Sequence, residues 1–418
     1  MQTKIRVPNK IRLSMTPLVF VVYLITSVLI YYGFSDSMGT IQLGLAVLTM
    51  IFYIKNPKTI HVVPVLLFTL FALILLVFSG QMSVVGFNAP IKHALKFVHL
   101  LYACTCGLFM RYVAEDREKK VFIIGVIATT IVSCVRSVIL VMTSGNAYAI
   151  RYASRYGYDT GDVLGFNQIY AIPFCIILVL FLLLEKKFRK PFLKVILIGV
   201  LLVYIYFTIV SLFTTALVIT AAGVILYLGV RAYRRKASIM LVISTVIITF
   251  FMMLISIFSD RTMDFIIDAT SDMNYITRNR LRYISEAILG LSSGISYSYD
   301  RRQELMGYSL ESFSQHPIFG VGYAGYRYGT IGCHQEWADL LGVFGIIGTI
   351  VVALILFGIF FNVYRDISDR HVKDLYLVMV VVFVVLGFLN PCISDPLFII
   401  LLAVVPNLGV MMKEAKDE

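Results

Sequence analysis

Apolar runs of about 20 residues recur along almost the whole of this chain, each long enough to cross a hydrocarbon layer of roughly 30 Å as a helix. Twelve can be distinguished, at about 17–33, 38–54, 60–79, 91–112, 121–143, 167–184, 192–210, 213–230, 238–259, 336–362, 374–390 and 395–412. Only the polar break Ser211, Thr214, Thr215 divides the seventh run from the eighth. With 59% hydrophobic residues, 14% charged residues and a mean hydropathy of +0.87, the chain is not a water-soluble domain. The expected fold is an all-α polytopic membrane protein of about twelve transmembrane helices, forming a single integral membrane domain over residues 1–418. The four basic residues before the first run are followed by no small-residue cleavage signal, so the first helix is expected to stay on the chain.

Charge tests that count independently. If both termini lie in the cytoplasm, the inner segments carry Lys4, Arg6, Lys10 and Arg12 at the start, then the groups at 55–58, 111–120, 186–194, 231–236 and 365–373, and finally Lys413 and Lys416. These segments hold 24 of the 36 Lys and Arg residues, and every inner loop obeys the positive-inside rule. The net charge of +12 therefore reports topology and calls for no nucleic-acid partner.

The remaining twelve cations fall on or near the outer side: Lys92, Lys96, Arg136, Arg151, Arg155, Arg261, Arg278, Arg280, Arg282, Arg301, Arg302 and Arg327. Loop arginines are ordinarily solvated, and Lys92 can snorkel from a helix end. Lys96 and Arg136 sit deeper. Lys96 shares a helical face with Lys92 and His99 at i, i+4, i+7, and Arg136 interrupts the run Val-Ser-Cys-Val-Arg-Ser-Val-Ile. A cation at that depth costs several kcal/mol without a partner or a wet cavity, so the pattern points to a site for an anion.

Two outer loops stand out. The first, Thr143–Phe166, holds Arg151, Arg155, Asp159 and Asp162 with four tyrosines, and leads into Asn167 and Gln168 at the start of a span. Those two residues suit helix capping and sugar binding equally. The second, residues 259–333, is a large extracytoplasmic loop between the ninth and tenth spans; loops that long carry function or their own structure. Two amphipathic helices are expected in it, one with Leu281, Ile284, Ile288 and Leu291 on a face, the other with Met306, Leu310 and Phe313 after Asp300-Arg301-Arg302. Together the loops hold twelve of the 25 tyrosines, suited to stacking on sugar rings or to anchoring at the interface.

At the exit of the second loop, His316-Pro-Ile-Phe-Gly-Val-Gly322 packs a proline and two glycines into seven residues, which specifies a sharp turn. Cys333-His334-Gln-Glu336-Trp follows at the mouth of a span, then Asp339 and the pair Gly345-Ile-Ile-Gly348. A histidine at a span boundary is common, and only its context gives it weight. Cys104, Cys106, Cys134 and Cys175 fall inside spans as small apolar residues, whereas Cys333 and Cys392 both face outward, which leaves a disulfide between them open. Without CxxC, HExxH, Walker or outer Asp-x-Asp patterns, no metal site and no cofactor is expected.

Many spans, a large late outer loop with His-Pro-Ile-Phe-Gly-Val-Gly, His334-Gln335 and then Gly345-Ile-Ile-Gly348 together resemble the bacterial O-antigen ligase and O-antigen polymerase superfamily. Arg301 or Arg302 upstream, and Gly-Phe-Asn-Gln at 165–168, add to the likeness. The topology covers the whole chain, the motifs about 50 residues. Gln335 stands where the family usually has Asn, and the Ser-Arg pair common after the seventh span is here Ser211-Leu212, which leans toward polymerase over ligase.

The resemblance implies glycosyl transfer on the outer face of the bacterial cytoplasmic membrane. A polyprenyl diphosphate-linked oligosaccharide is the donor, and a second lipid-linked repeat unit the acceptor. A chain-length regulator and a flippase are the protein partners such a polymerase admits. In that scheme His334 is base or orienting acceptor, with Glu336 and Asp339 as alternatives. Arg302, Arg301, Lys96 and Arg136 clamp the diphosphate without metal, and Lys92, His99, Arg151, Arg155 and Asn167 complete the substrate site. A ligase of the same fold and a lipid-linked oligosaccharide flippase are the competing readings.

Overall fold

A computed structural model describes residues 9–34, 39–54, 90–144, 166–185, 191–211, 213–234, 297–322, 325 and 329–413, and all of its regular structure is helical. The helices are α1 (Asn9–Leu29), α2 (Gly39–Ile54), α3 (Pro90–Tyr112), α4 (Asp116–Ser144), α5 (Phe166–Leu184), α6 (Pro191–Val210), α7 (Thr214–Arg234), α8 (Tyr297–Gln315), α9 (Glu336–Asp366), α10 (Arg370–Leu389), α11 (Asp395–Ile399) and α12 (Leu408–Lys413). Among the described residues seven helical spans are long and apolar enough to cross a membrane: α4 to α7, α9, α10 and the continuous stretch Asp395–Met412. The expected spans at 17–33, 38–54 and 91–112 are also helical, but are shorter or carry more charge. Those at 60–79 and 238–259 lie outside the described residues, as does the amphipathic helix expected around residues 281–291.

Helices that are apolar on every side must be buried in protein or face lipid. Both cases occur. α6 and α7 leave Val195, Leu202, Ile209 and Ile225 exposed, a side suited to acyl chains, whereas α5 and the stretch Asp395–Met412 are almost wholly enclosed. That last stretch is the axis of the bundle: it packs against α3 and α5, while α10 bridges α7 and α9. Gly107 of α3 lets the two backbones approach, since a Cβ there would lie 2.5 Å from the carbonyl oxygen of Leu402.

The axis is not a regular helix. α11 passes into a π-helical segment, Ile400–Val404, and then a 3-10 turn, Val405–Asn407, before α12; α1 likewise ends in the π-helical segment Ile30–Phe34. Widened turns set carbonyls loose, and in an apolar interior each needs a donor. Gln168 Nε2 donates to Ile30 O at 3.0 Å, Ser133 Oγ to Tyr31 O at 3.0 Å, and Asn407 Nδ2 to Ala403 O at 2.7 Å. Gln168 thus acts inside the fold, tying α5 to the end of α1.

α8 is the amphipathic helix expected after Asp300-Arg-Arg, but its buried face differs from the expected one. Ser309 and Ser312 are enclosed against α9, while Leu310, placed by periodicity on the apolar face, is exposed. Polar side chains turn inward because the segment preceding α9 offers them backbone partners.

Candidate functional site

Gly345 interrupts α9 with φ 62°, ψ −168°, and the turn at 317–322 fills the interruption. A broken helix leaves carbonyls on one side and amides on the other without partners. The turn supplies both kinds. Val321 N–H and Gly322 N–H donate to Gly342 O and Val343 O at 2.9 and 2.8 Å, and Ile346 N–H and Ile347 N–H donate to Pro317 O and Ile318 O at 2.8 and 3.3 Å. The His-Pro-Ile-Phe-Gly-Val-Gly motif is therefore the splice of a discontinuous span. Non-helical backbone at membrane depth persists only where protein satisfies it.

The first turn of α9 gathers two buried carboxylates three residues apart. Glu336 Oε1 meets Lys96 Nζ of α3 at 3.1 Å, and its Oε2 accepts the N–H groups of Cys392 and Ile393 at 2.9 and 3.1 Å. Asp339 Oδ1 accepts the Ser309 hydroxyl at 2.7 Å, while its buried Oδ2 has no hydrogen-bond partner. Of the two proposed alternative bases, Glu336 is committed through both oxygens and Asp339 keeps one free.

A third carboxylate, Asp395, lies at the start of α11. Gln42 Nε2 of α2 donates to its Oδ2 at 3.0 Å, which turns Gln42 Oε1 toward His99 Nδ1 at 2.5 Å; the imidazole is 3.6 Å from the same carboxylate. An ionised carboxylate can only accept, so the amide turns its N–H to Asp395, and Gln42 Oε1, itself an acceptor, takes its hydrogen from Nδ1 of His99. Glu336, Asp339 and Asp395 are each no more than 2% exposed, and the described cations beside them are Lys96 and the ionisable His99.

The residues of the expected anion clamp are placed as follows. Lys96, read from sequence as a buried cation awaiting an anionic ligand, is already half of an ion pair, because its partner stands 240 positions later in the chain. Arg136 lies with its guanidinium 4.2 Å from the ring centroid of Tyr32. Arg301 and Arg302 belong to the first turns of α8 and Lys92 to that of α3, with side chains outside the described set; Arg151 and Arg155 lie outside the described residues altogether. Asn167 is half-buried at the start of α5.

His334 is half-buried in the segment that leads into α9, two residues before Glu336. Its neighbour Cys333 adopts φ 58°, a left-handed conformation unusual for a side chain with a Cβ. Burial, and next the negative charge of Asp339, push the Cys333 thiol up to about 11. Cys333 and Cys392 do not pair: both are free thiols, the first exposed and the second buried.

Gln42, Ser309, Asp395 and the amides of 392–393 went unnoticed in the sequence. Two of them left a signal there, since a Gln inside an apolar run and an Asp opening one are both costly in lipid and imply partners. No protein-family model, no curated protein and no solved structure matches this chain.

Proposed function

We propose that this chain is a membrane glycosyltransferase that polymerises polyprenyl diphosphate-linked oligosaccharide repeat units into a surface polysaccharide. Its reactive site faces the outer side of the bacterial cytoplasmic membrane. The observation that supports this reading best is the splice of α9 at Gly345 by the 317–322 turn, with His334 and a buried polar cluster gathered at the same helix mouth. Ionisable side chains are kept in an apolar bundle at a cost, and they mark functional sites there.

In the reaction, the acceptor sugar's hydroxyl oxygen attacks the anomeric carbon of the donor and gives its proton to His334. The bond from that carbon to the diphosphate oxygen breaks, and its electron pair leaves with the diphosphate. Arg301 and Arg302 neutralise the growing charge through bidentate contacts, and Arg136, Arg151 and Arg155 add positive charge for the diphosphate. Lys96 adds a charge whose position Glu336 controls. No step requires a metal ion.

The test uses purified full-length protein, a synthetic polyprenyl diphosphate repeat unit and EDTA, with products resolved on a gel. A ladder is the expected result; one transfer product favours the ligase reading, and no product favours a transporter. His334→Ala is expected to slow extension by about 10²- to 10⁴-fold with normal membrane accumulation. Full extension by both His334→Ala and Arg302→Lys refutes this site.

A further inference from the structure

We infer that Ser309 is a positioning residue that fixes His334 for the proton transfer, an inference resting on the glycosyl-transfer reading above. Ser309 is fully buried on α8, and its one hydroxyl is used in both directions. Oγ–H donates to Asp339 Oδ1 at 2.7 Å, and the same oxygen accepts the N–H of Gly332 at 2.9 Å. One turn further along α8, the Ser312 hydroxyl donates to Thr330 O at 2.7 Å. Two serines three residues apart therefore hold the segment 330–332 against α8 and join it to the first turn of α9.

Gly332 is held by shape as well, since a Cβ there would lie 1.9 Å from Leu305 O. On the far side Glu336 is anchored to Lys96 and to the amides of Cys392 and Ile393. Only Cys333, His334 and Gln335 lie between the two anchors. Cys333 sits there at φ 58°, and such a conformation at a residue with a Cβ persists only where its surroundings over-determine it. The anchors do that, and they leave the imidazole-bearing backbone little freedom. A hydroxyl serving only to fill a polar hole in the packing would not have to reach both the carboxylate of α9 and the amide two residues before the histidine.

Two readouts test this on the full-length protein. Cys333 is the exposed member of the six cysteines, so maleimide labelling reports on the segment without an engineered site. Ser309→Ala is expected to speed that labelling several-fold and to lower kcat by about 10- to 100-fold, the scale of a small misplacement of a reacting group, with donor KM nearly unchanged. Ser309→Thr, which keeps the hydroxyl, is expected to retain most of the turnover. In a His334→Ala background, Ser309→Ala should add less than a twofold further loss, whereas a residue that only stabilises the fold would subtract its full effect again. Should Ser309→Ala fail to accumulate, Ser312→Ala loosens the same segment from Thr330 and is expected to move both readouts the same way by less. Unchanged labelling or additive losses in active protein overturn the role of Ser309 and leave the glycosyl-transfer reading standing. A wild-type protein without extension activity removes that reading, and this inference with it.

Discussion

The backbone nitrogen of Gly345 excludes a Cβ from Gly320, 25 positions earlier in the chain. Both have positive φ, at 71° and 62°, and a Cβ on Gly320 would lie 2.6 Å from the nitrogen of Gly345 and 2.3 Å from Val343 O. A Cβ on Gly345 would lie 2.4 Å from Ile318 C. The turn and the helix break are thus one junction written in two places, and neither half can take a side chain without displacing backbone of the other.

Gly320→Ala and Gly345→Ala are accordingly expected to destabilise by about 3 kcal/mol each, since left-handed strain and a backbone collision act together. The double substitution should cost less than the sum, because either one alone already opens the junction. Midpoints of thermal aggregation in detergent measure this; wild-type midpoints for both single variants would show that the splice does not hold the fold.

Glu336 serves three donors and Lys96 is also partly exposed to solvent, so the pair is asymmetric. Glu336→Ala strands two buried amides and leaves the part-buried Lys96 ammonium without its partner, an expected loss of about 3–5 kcal/mol. Lys96→Met leaves the carboxylate with its two amide donors and should cost distinctly less. Thermal midpoints of the two variants decide; the reverse order contradicts the arrangement of Glu336 described here.

Cys333 is exposed, yet its thiol is pushed up to about 11 by burial and by Asp339, and its Sγ turns back toward Ile331 O at 3.7 Å. The thiolate is the reactive species, so labelling at neutral pH should run roughly 100-fold slower than for an ordinary exposed cysteine. The rate should keep rising about tenfold per pH unit until pH nears that value. A rate that levels off at pH 8 to 9 rules the raised thiol out.

Orientation is a prediction from charge. The ends of α3, α7 and α9 opposite the site carry the ion pairs Arg111–Asp366 at 2.9 Å and Arg231–Glu185 at 2.8 Å, among basic residues expected to face inward. In a Cys333→Ser background, impermeant maleimide should reach cysteines engineered at Asp159 and Ser293 in intact cells, and should miss those at Lys187 and Arg234. Labelling at the last two reverses the topology. Ser394 is no use as a probe, because it is buried at the site end.

Much of the architecture was legible in the linear chain, because the rules behind it are local or one-dimensional. An apolar run of sufficient length becomes a helix in lipid wherever it lies, and two glycines beside a proline bend the backbone whatever they touch. The turn at 316–322, the α9 mouth with His334, and the helix after Asp300 were all readable in this way. The partners were not. Lys96 looked like a lone cation because Glu336 lies in another span, and α8 seemed to face inward along Leu310 because periodicity counts apolar residues and ignores the amide of Gly332 waiting beneath Ser309. Burial makes those pairings obligatory, since a polar group sealed from water must find its complement within about 3 Å. Which complement it finds depends on how helices far apart in the chain pack side by side, and that was decided only by the tertiary structure.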